Sequence, residues 1–173
     1  MVVVAVIGIL AALAAQQVSS ASHRANAPVQ GIRVHGFLSD ARNLARRTNR
    51  CVRVARNTDG SVLEARTFST CAITEVCRCR ASALSDEIRT LTMDDVAPKQ
   101  ARVAPFTGTG VVAGFTDVAI ADAIVFLADG STPHPGAVSL VVTVPLAEGN
   151  QTTALRVMPA TGIVRLVQAG EAP

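Results

Sequence analysis

The sequence predicts an α+β fold in which a long N-terminal helix, apolar in its first half and amphipathic in its second, packs on an antiparallel β-sheet head. Three observations predict it. The first fifteen residues contain no charged or strongly polar side chain, residues 16–50 repeat apolar or small side chains at steps of three and four, and from Cys51 onward the period changes to two. The chain therefore divides into an apolar helix segment (1–27), an amphipathic helix half (28–50) and a β-rich head (51–173).

The apolar run at the N-terminus favours part of a membrane segment. As a helix, fifteen residues would span about 22 Å, which is short of the roughly 30 Å hydrocarbon core of a bilayer. A buried core helix remains open, and so does a cleaved secretory signal, because residues 12–14 have the small-x-small form of a cleavage site. The side chains that would face lipid or neighbouring helices are Val2, Val3, Val4, Val6, Ile7, Ile9, Leu10 and Leu13.

The net charge of +3 conceals a local basic segment that follows the apolar run. Residues 24–56 contain eight arginines against Asp40 alone. Such a segment suits anionic lipid headgroups and also resembles a nucleic-acid patch. It is equally typical of a solvated helix face on which arginine stems cover apolar neighbours. No aromatic residues are interleaved with the arginines, so base stacking has little support.

The amphipathic half of the helix predicts a single buried stripe. Pro28 disfavours helix at Ala27, so a break or kink is expected there. The predicted stripe consists of Val29, Ile32, Gly36, Phe37, Ala41, Leu44, Ala45 and Thr48.

The head begins with a predicted hairpin, formed by Cys51–Arg56 and Ser61–Phe68 across the turn Asn57–Gly60. Thr70–Gly110 is predicted to form loops with one or two short strands, one of them at Ile88–Met93. A helix beginning after Ser85 is the competing local prediction.

The last third of the chain predicts four strands separated by turn residues. Because they follow one another at short spacing, we expect them to form an antiparallel meander. The last two would make a hairpin across residues 159–162. The predicted strands are Val118–Leu127, Val138–Val144, Thr153–Met158 and Ile163–Val167.

Residues 1–14, Met-Val-Val-Val-Ala-Val-Ile-Gly-Ile-Leu-Ala-Ala-Leu-Ala, resemble the N-terminal helix of type IV pilins and type II secretion pseudopilins. In that family a basic leader ending in glycine, an N-methylated aromatic residue and a glutamate precede this string. None is present here, so we expect the leader and first mature residues to be missing, and no processing or methylation site is assigned. The resemblance implies that residues 1–27 are a membrane and filament-core helix.

Two C-terminal segments, Phe126–Gly130 and Leu155–Arg165, are similar to the closing pattern of the GspH/FimT family of minor pseudopilins and minor pilins, and Asp40–Asn49 resembles that family's helix end. Gly130 and Gly162 suit turn positions that need positive φ, and Phe126 suits the core. Some members of the fimbrial branch bind DNA through basic residues near this hairpin, which here are Arg156 and Arg165. Ile163 and Val164 depart from that pattern and weaken the DNA interpretation.

The cysteines leave three alternatives open: disulfides, buried thiols or a metal site. If the head lies in an oxidising periplasm, a bridge such as Cys51–Cys71 or Cys71–Cys77 would tie down an irregular loop. Metal is disfavoured because Cys71, Cys77 and Cys79 do not have the usual Cys-x2-4-Cys ligand spacing.

No catalytic motif accompanies His23, His35 or His134, so we expect a non-enzyme with no catalytic residues, metal or cofactor.

The resemblance implies a minor pilin-like structural subunit of a type II secretion pseudopilus or type IV pilus, acting in filament initiation or at the tip. Its partners would be other pilin-like subunits, an inner-membrane assembly platform and, before assembly, membrane lipid. It would be a single-pass inner-membrane protein with a periplasmic head, and later part of the filament. A DNA-binding minor pilin for DNA uptake and a secreted globular binding module with a cleaved signal are the alternatives.

Overall fold

The computed structural model describes residues 28–68, 84–93, 101–108, 123–146 and 149–167. A helix, α1, covers residues 28–48. Eight strands follow: β1 (Val52–Arg56), β2 (Val62–Phe68), β3 (Leu84–Thr92), β4 (Arg102–Val103), β5 (Ala123–Phe126), β6 (Val138–Leu146), β7 (Gly149–Val157) and β8 (Val164–Val167). The predicted apolar segment 1–27, with the expected break at Ala27, lies outside the described residues.

The strands form two four-stranded antiparallel sheets. The first sheet has the order β3-β2-β1-β5 and the second has the order β4-β6-β7-β8. Side chains alternate along β6, where Val138, Leu140, Val142 and Val144 are buried and the residues between them are partly exposed. These valines and leucine join residues of α1 and of the first sheet in one hydrophobic core. The predicted α+β class, with a helix packed on antiparallel sheet, is confirmed.

The predicted β1–β2 hairpin is present, and its strands pair in antiparallel register with Val54 opposite Ala65 and Arg56 opposite Leu63. Its turn is held by Asp59, whose Oδ1 accepts hydrogen bonds from the Ser61 backbone N–H (3.1 Å) and hydroxyl (2.8 Å). Gly60 has a φ of 74°, which a side chain would oppose. An Asp-Gly-Ser turn of the same design follows β5, where Asp129 binds Ser131.

The segment after Ser85 is a strand, so the competing helix prediction is wrong. The strand is also longer than the predicted Ile88–Met93, because β3 pairs with β2 from Val62 opposite Thr92 to Phe68 opposite Leu84. The signals for a helix start at residues 85–87 are local. Here they are overridden by a ladder of hydrogen bonds to a strand that is distant in the sequence.

The predicted meander of four strands is wrong for its first member. β5 pairs with β1 in the first sheet, and of the predicted strand Val118–Leu127 the structure describes only residues 123–127. All four residues of β5 are buried, as expected for a strand covered on both faces. The Pro-rich segment 131–137 then leads to the second sheet. There β6, β7 and β8 form the predicted meander, with β7 beginning four residues earlier than Thr153.

The buried face of α1 differs from the predicted stripe in its N-terminal half. Ala41, Leu44 and Ala45 are buried as predicted. Gly36 and Thr48 are exposed, Phe37 is only partly buried, and Val29 and Ile32 are 48% and 58% exposed. The inward positions before Ala41 are instead Gln30, Gly31, Val34 and Leu38.

The buried face is rotated about the helix axis relative to the predicted stripe, and the physical reason is a close contact between Gly31 and β7. A β-carbon at Gly31 would lie 2.5 Å from Thr153 Cγ2, so only glycine lets the helix approach the strand this closely. Gln30 can face inward because its Oε1 accepts a hydrogen bond from Arg33 Nη1 (3.2 Å).

His134, from the predicted Pro-His-Pro turn, closes the outer edge of β5. Its side chain is 3% exposed, and Nε2 accepts a weak hydrogen bond from the Val125 backbone N–H (3.4 Å). Nδ1 is buried without a hydrogen-bond partner in the described part of the chain. Burial lowers the pKa of His134, because the imidazolium form would lose its hydration.

This burial makes the stability of the head depend on pH. When the pH falls below about 6.5, the ordinary histidine pKa, the unfolded chain takes up a proton at His134 before the folded chain does. The free energy of unfolding should therefore decrease with falling pH from about 6.5 downward. His134→Gln, which can still accept from Val125 N–H but does not titrate, should show a smaller decrease between about pH 6.5 and 5. Urea unfolding of the full chain at several pH values measures the difference, and equal slopes would contradict it.

Candidate functional site

The C-terminal half of α1 is held to both sheets by one arginine. Arg42 Nε donates hydrogen bonds to the Gly130 carbonyl (3.2 Å) and the Thr161 carbonyl (2.9 Å). The first carbonyl belongs to the turn that follows β5, in the first sheet. The second belongs to the turn between β7 and β8, in the second sheet. We refer to Arg42 with residues 127–131 and 158–163 as the turn junction.

The two glycines predicted to occupy turns, Gly130 and Gly162, lie against each other inside the turn junction. Gly130 and Gly162 have φ values of 86° and 61°, the conformation expected of turn glycines. A β-carbon at Gly162 would overlap the Gly130 carbonyl oxygen and lie 3.3 Å from Phe126 Cδ1, and one at Gly130 would lie 2.7 Å from Arg46 Cδ. The two sequence motifs are therefore parts of one packing arrangement, which closes around the fully buried Phe126.

Two further hydrogen bonds fix the same region. The Thr132 backbone N–H donates to the Pro159 carbonyl (2.8 Å), which joins the segment after β5 to the β7–β8 turn. His35 Nε2 lies 3.1 Å from the Val164 carbonyl and joins α1 to β8. The single Nε–H of Arg42 is shared between its two carbonyls, and a bond from a charged donor typically contributes about 1.5–3 kcal/mol in all. Together with the His35 contact, it stabilises one orientation of the helix on the head.

The outward face of α1 is apolar in its N-terminal half. Val29, Ile32 and Gly36 follow one another at helical spacing, and we call them the outer stripe. Apart from the helix backbone beside Gly36, no atom of the described residues lies within 4 Å of the position that a β-carbon of Gly36 would take. Asp40, Asn43 and Arg47 continue the same face toward the C-terminus as exposed polar side chains. The helix thus has an inward face in the core and an outward apolar surface that the described residues leave exposed.

The two arginines predicted from the DNA-binding branch are brought together on the outer face of the second sheet. Arg156 on β7 is directly opposite Arg165 on β8, and Arg102 on β4 lies on the same face. Arg165 is exposed and Arg156 is partly buried. None of the described side chains on this face is acidic. Because like charges in directly opposite positions destabilise a sheet, an anion bound beside this pair would stabilise it.

The remaining predicted residues are placed as follows. Cys51 is fully buried, but Cys71, Cys77 and Cys79 lie outside the described residues, so the disulfide stays a prediction. The apolar side chains from Val2 to Leu13 also lie outside them.

Over the ranges that the structure describes, no helix combines the length and apolar character needed to cross a membrane, and no three histidine, cysteine or acidic side chains are grouped to hold a metal.

Sequence reasoning missed Gly31 and Arg42. A glycine in a helix interior costs about 1 kcal/mol relative to alanine, so its presence there is a signal of a close contact. Arg42 left no comparable signal, because its acceptors are backbone carbonyls, which no side-chain pattern marks.

No protein-family model matches this chain, and no curated protein matches it. Two solved structures of the type IV minor pilin FimU from Pseudomonas aeruginosa, in different crystal forms, are similar to it. One has 15% sequence identity, covers 87% of this chain and 94% of that chain, and has a TM-score of 0.52. The other has 14% identity, covers 84% of this chain and 96% of that chain, and has a TM-score of 0.48. At this identity the first likeness shows that the chain has a minor pilin-like fold.

Proposed function

We propose that this chain is a minor pilin-like structural subunit of the GspH/FimT type, which assembles into a type II secretion pseudopilus or a type IV pilus. The observation that carries the proposal is the outer stripe of α1. The helix already buries one face in the head, and it still presents Val29 and Ile32 outward. Together with a fold shared with a minor pilin, this second face supports a helix that packs against other subunits.

The physical argument concerns what an exposed apolar helix face does in water. Fully burying a valine or isoleucine side chain contributes about 1.5–3 kcal/mol, so covering the half-exposed pair of the outer stripe contributes part of that for each residue. Gly36 adds a place where another helix could approach closely, because none of the side chains that the structure describes fills the space beside it. The apolar residues 1–15 precede this face in the sequence and are separated from it by the more polar residues 16–27.

The proposed partners and location follow from this role. Before assembly, the apolar N-terminal segment holds the subunit in the inner membrane with the head in the periplasm, and the assembly platform then transfers it to like helices in a filament. The role is structural rather than catalytic. It depends on packing surfaces, and the contacts of α1 and of the turn junction are packing and hydrogen-bonding contacts.

A photo-crosslinking experiment tests this function. A photoreactive amino acid at Ile32, in the full chain expressed in its native host, should crosslink to another pilin-like subunit, because Ile32 is outward-facing and apolar. The matched control is Thr90, which is exposed on β3 of the head and should give little such product. In parallel, Ile32→Asp should lower the amount of the chain in sheared filaments about tenfold or more, while Thr90→Asp should not.

Crosslinks at Ile32 that contain no pilin-like subunit, together with normal filament incorporation of Ile32→Asp, would contradict the proposal.

A DNA-binding minor pilin is the second candidate, and the pairing of Arg156 with Arg165 favours it. The full chain in detergent micelles should then bind duplex DNA with an affinity that falls steeply with salt. Replacing both arginines with alanine should weaken binding and reduce the salt slope, by about one for each phosphate that the variant no longer neutralises. The double variant Arg47→Ala with Arg50→Ala, at two exposed arginines at and just after the end of α1, serves as the charge-matched control. An equal decrease in the control would point to non-specific attraction instead.

A further inference from the structure

Four side chains on the outer face of the first sheet form a two-by-two arrangement. Arg53 and Ala55 come from β1, and Arg66 and Glu64 come from β2. Arg53 is directly opposite Arg66, and Ala55 is directly opposite Glu64. All four are partly buried, and they line a small depression of about 20 Å³. Three corners of this arrangement carry a charge and the fourth, Ala55, carries no functional group.

The charges in the arrangement do not balance. Glu64 Oε2 lies 3.3 Å from Arg66 Nη2, with the two side chains 40% and 36% exposed. Arg53 shares this single carboxylate at longer range. Burial lowers the pKa of Arg53, the positive charge of Arg66 lowers it further, and Glu64 opposes both effects. Two guanidinium groups are therefore held side by side with one carboxylate between them, and like charges at opposite positions destabilise the sheet.

One donor of this cluster is also left without an acceptor. The Nε atom of Arg53 is buried from water and has no hydrogen-bond partner among the residues that the structure describes. A buried donor that has lost water without gaining an acceptor destabilises the folded state. The depression beside it has room for about one water-sized group. The charges and the hydrogen bonding therefore lack the same thing, an anionic acceptor beside the Arg53 guanidinium, which lines the depression.

We propose that this depression receives a single carboxylate, presented by an aspartate or glutamate side chain of a partner protein. The carboxylate accepts hydrogen bonds from the guanidinium of Arg53 and completes an arrangement of two cations and two anions. One oxygen of its head group fits the small volume, while the rest of the carboxylate lies at the mouth of the depression. A nucleic-acid strand would carry a row of phosphates past Glu64, which repels them. This inference goes beyond the proposed function, since it concerns a face of the head and does not depend on the helix contacts.

Nitrogen-15 NMR of the arginine Nε–H groups tests the proposal with acetate as the carboxylate probe. The full chain in detergent micelles is titrated with sodium acetate at constant ionic strength, balanced with sodium chloride, and Arg53→Lys identifies the Arg53 signal. The Arg53 signal should shift along a saturable curve, while the signal of the exposed Arg47 should move little. Acetate has no protein attached to it, so binding in the millimolar range or weaker is expected.

Two variants of Ala55 distinguish carboxylate binding from a general change of the surface. Ala55→Glu should place a carboxylate in the depression from within the chain, reproduce the Arg53 shift without acetate and abolish the response to acetate. It should also raise the Tm by about 2–4 °C relative to Ala55→Gln, which has the same size without the charge. Ala55→Gln should keep the acetate response or weaken it through crowding, without reproducing the shift.

Three results would overturn the proposal. The first is a linear Arg53 shift no larger than that of Arg47, which would indicate ionic-strength effects alone. The second is a saturable shift that chloride produces equally, which would indicate a site for a simple halide ion. The third is an Ala55→Glu variant with the same Tm and Arg53 signal as Ala55→Gln. Each leaves the helix-mediated assembly untouched, so failure here is distinguishable from failure of the proposed function.

Discussion

The rotation of α1 about its own axis is the constraint on which the other features depend. Gly31 fixes it near the N-terminal end of the described helix by lying against Thr153, and Arg42 fixes it farther along by binding the Gly130 and Thr161 carbonyls. These two residues are eleven positions apart, which is close to three helical turns, so they lie on one face. With that face held against the head, Val29 and Ile32 must point outward.

The same contacts explain how two sheets without a shared strand form one head. The ladders of the first and second sheets are separate, and the chain crosses between them more than once. Arg42 and the bond from Thr132 to Pro159 join them at the turn junction. At another point, the Val103 N–H on β4 donates to the Gly60 carbonyl in the β1–β2 turn (2.9 Å). These bonds hold α1 and the two sheets in position, and the apolar side chains of all three form one buried core.

Much of the head could be predicted from local patterns. The β1–β2 and β7–β8 hairpins are encoded by alternation and by turn residues close in sequence. Phe126 is in the core, as expected of a phenylalanine within an apolar strand. The placement of β5 beside β1 could not be predicted in this way. It depends on pairing between residues about seventy positions apart, and no local signal distinguishes it from pairing with β6.

The outer stripe shows a different limit of sequence reasoning. Val29 and Ile32 have the hydrophobicity and spacing of core residues, and hydrophobicity alone does not distinguish burial in the same chain from burial against another one. Gln30 is inward although it is polar, because Arg33 satisfies its amide oxygen. The phase of the helix is therefore set by steric contact at Gly31 and by backbone acceptors at the turn junction, which the amphipathic pattern does not contain.

Comparing Gly31→Ala with Gly36→Ala tests this account most directly, because both make the same chemical change in one helix. Gly36→Ala should raise the free energy of unfolding of the full chain by about 0.5–1 kcal/mol through helix propensity alone. Gly31→Ala gains the same propensity but places a methyl group against Thr153, and overpacking of this kind typically costs about 1–3 kcal/mol. Urea unfolding should therefore find Gly31→Ala the less stable of the two by about that amount. Equal stabilities, or the reverse order, would show that Gly31 does not face β7 and would contradict the assigned rotation of α1.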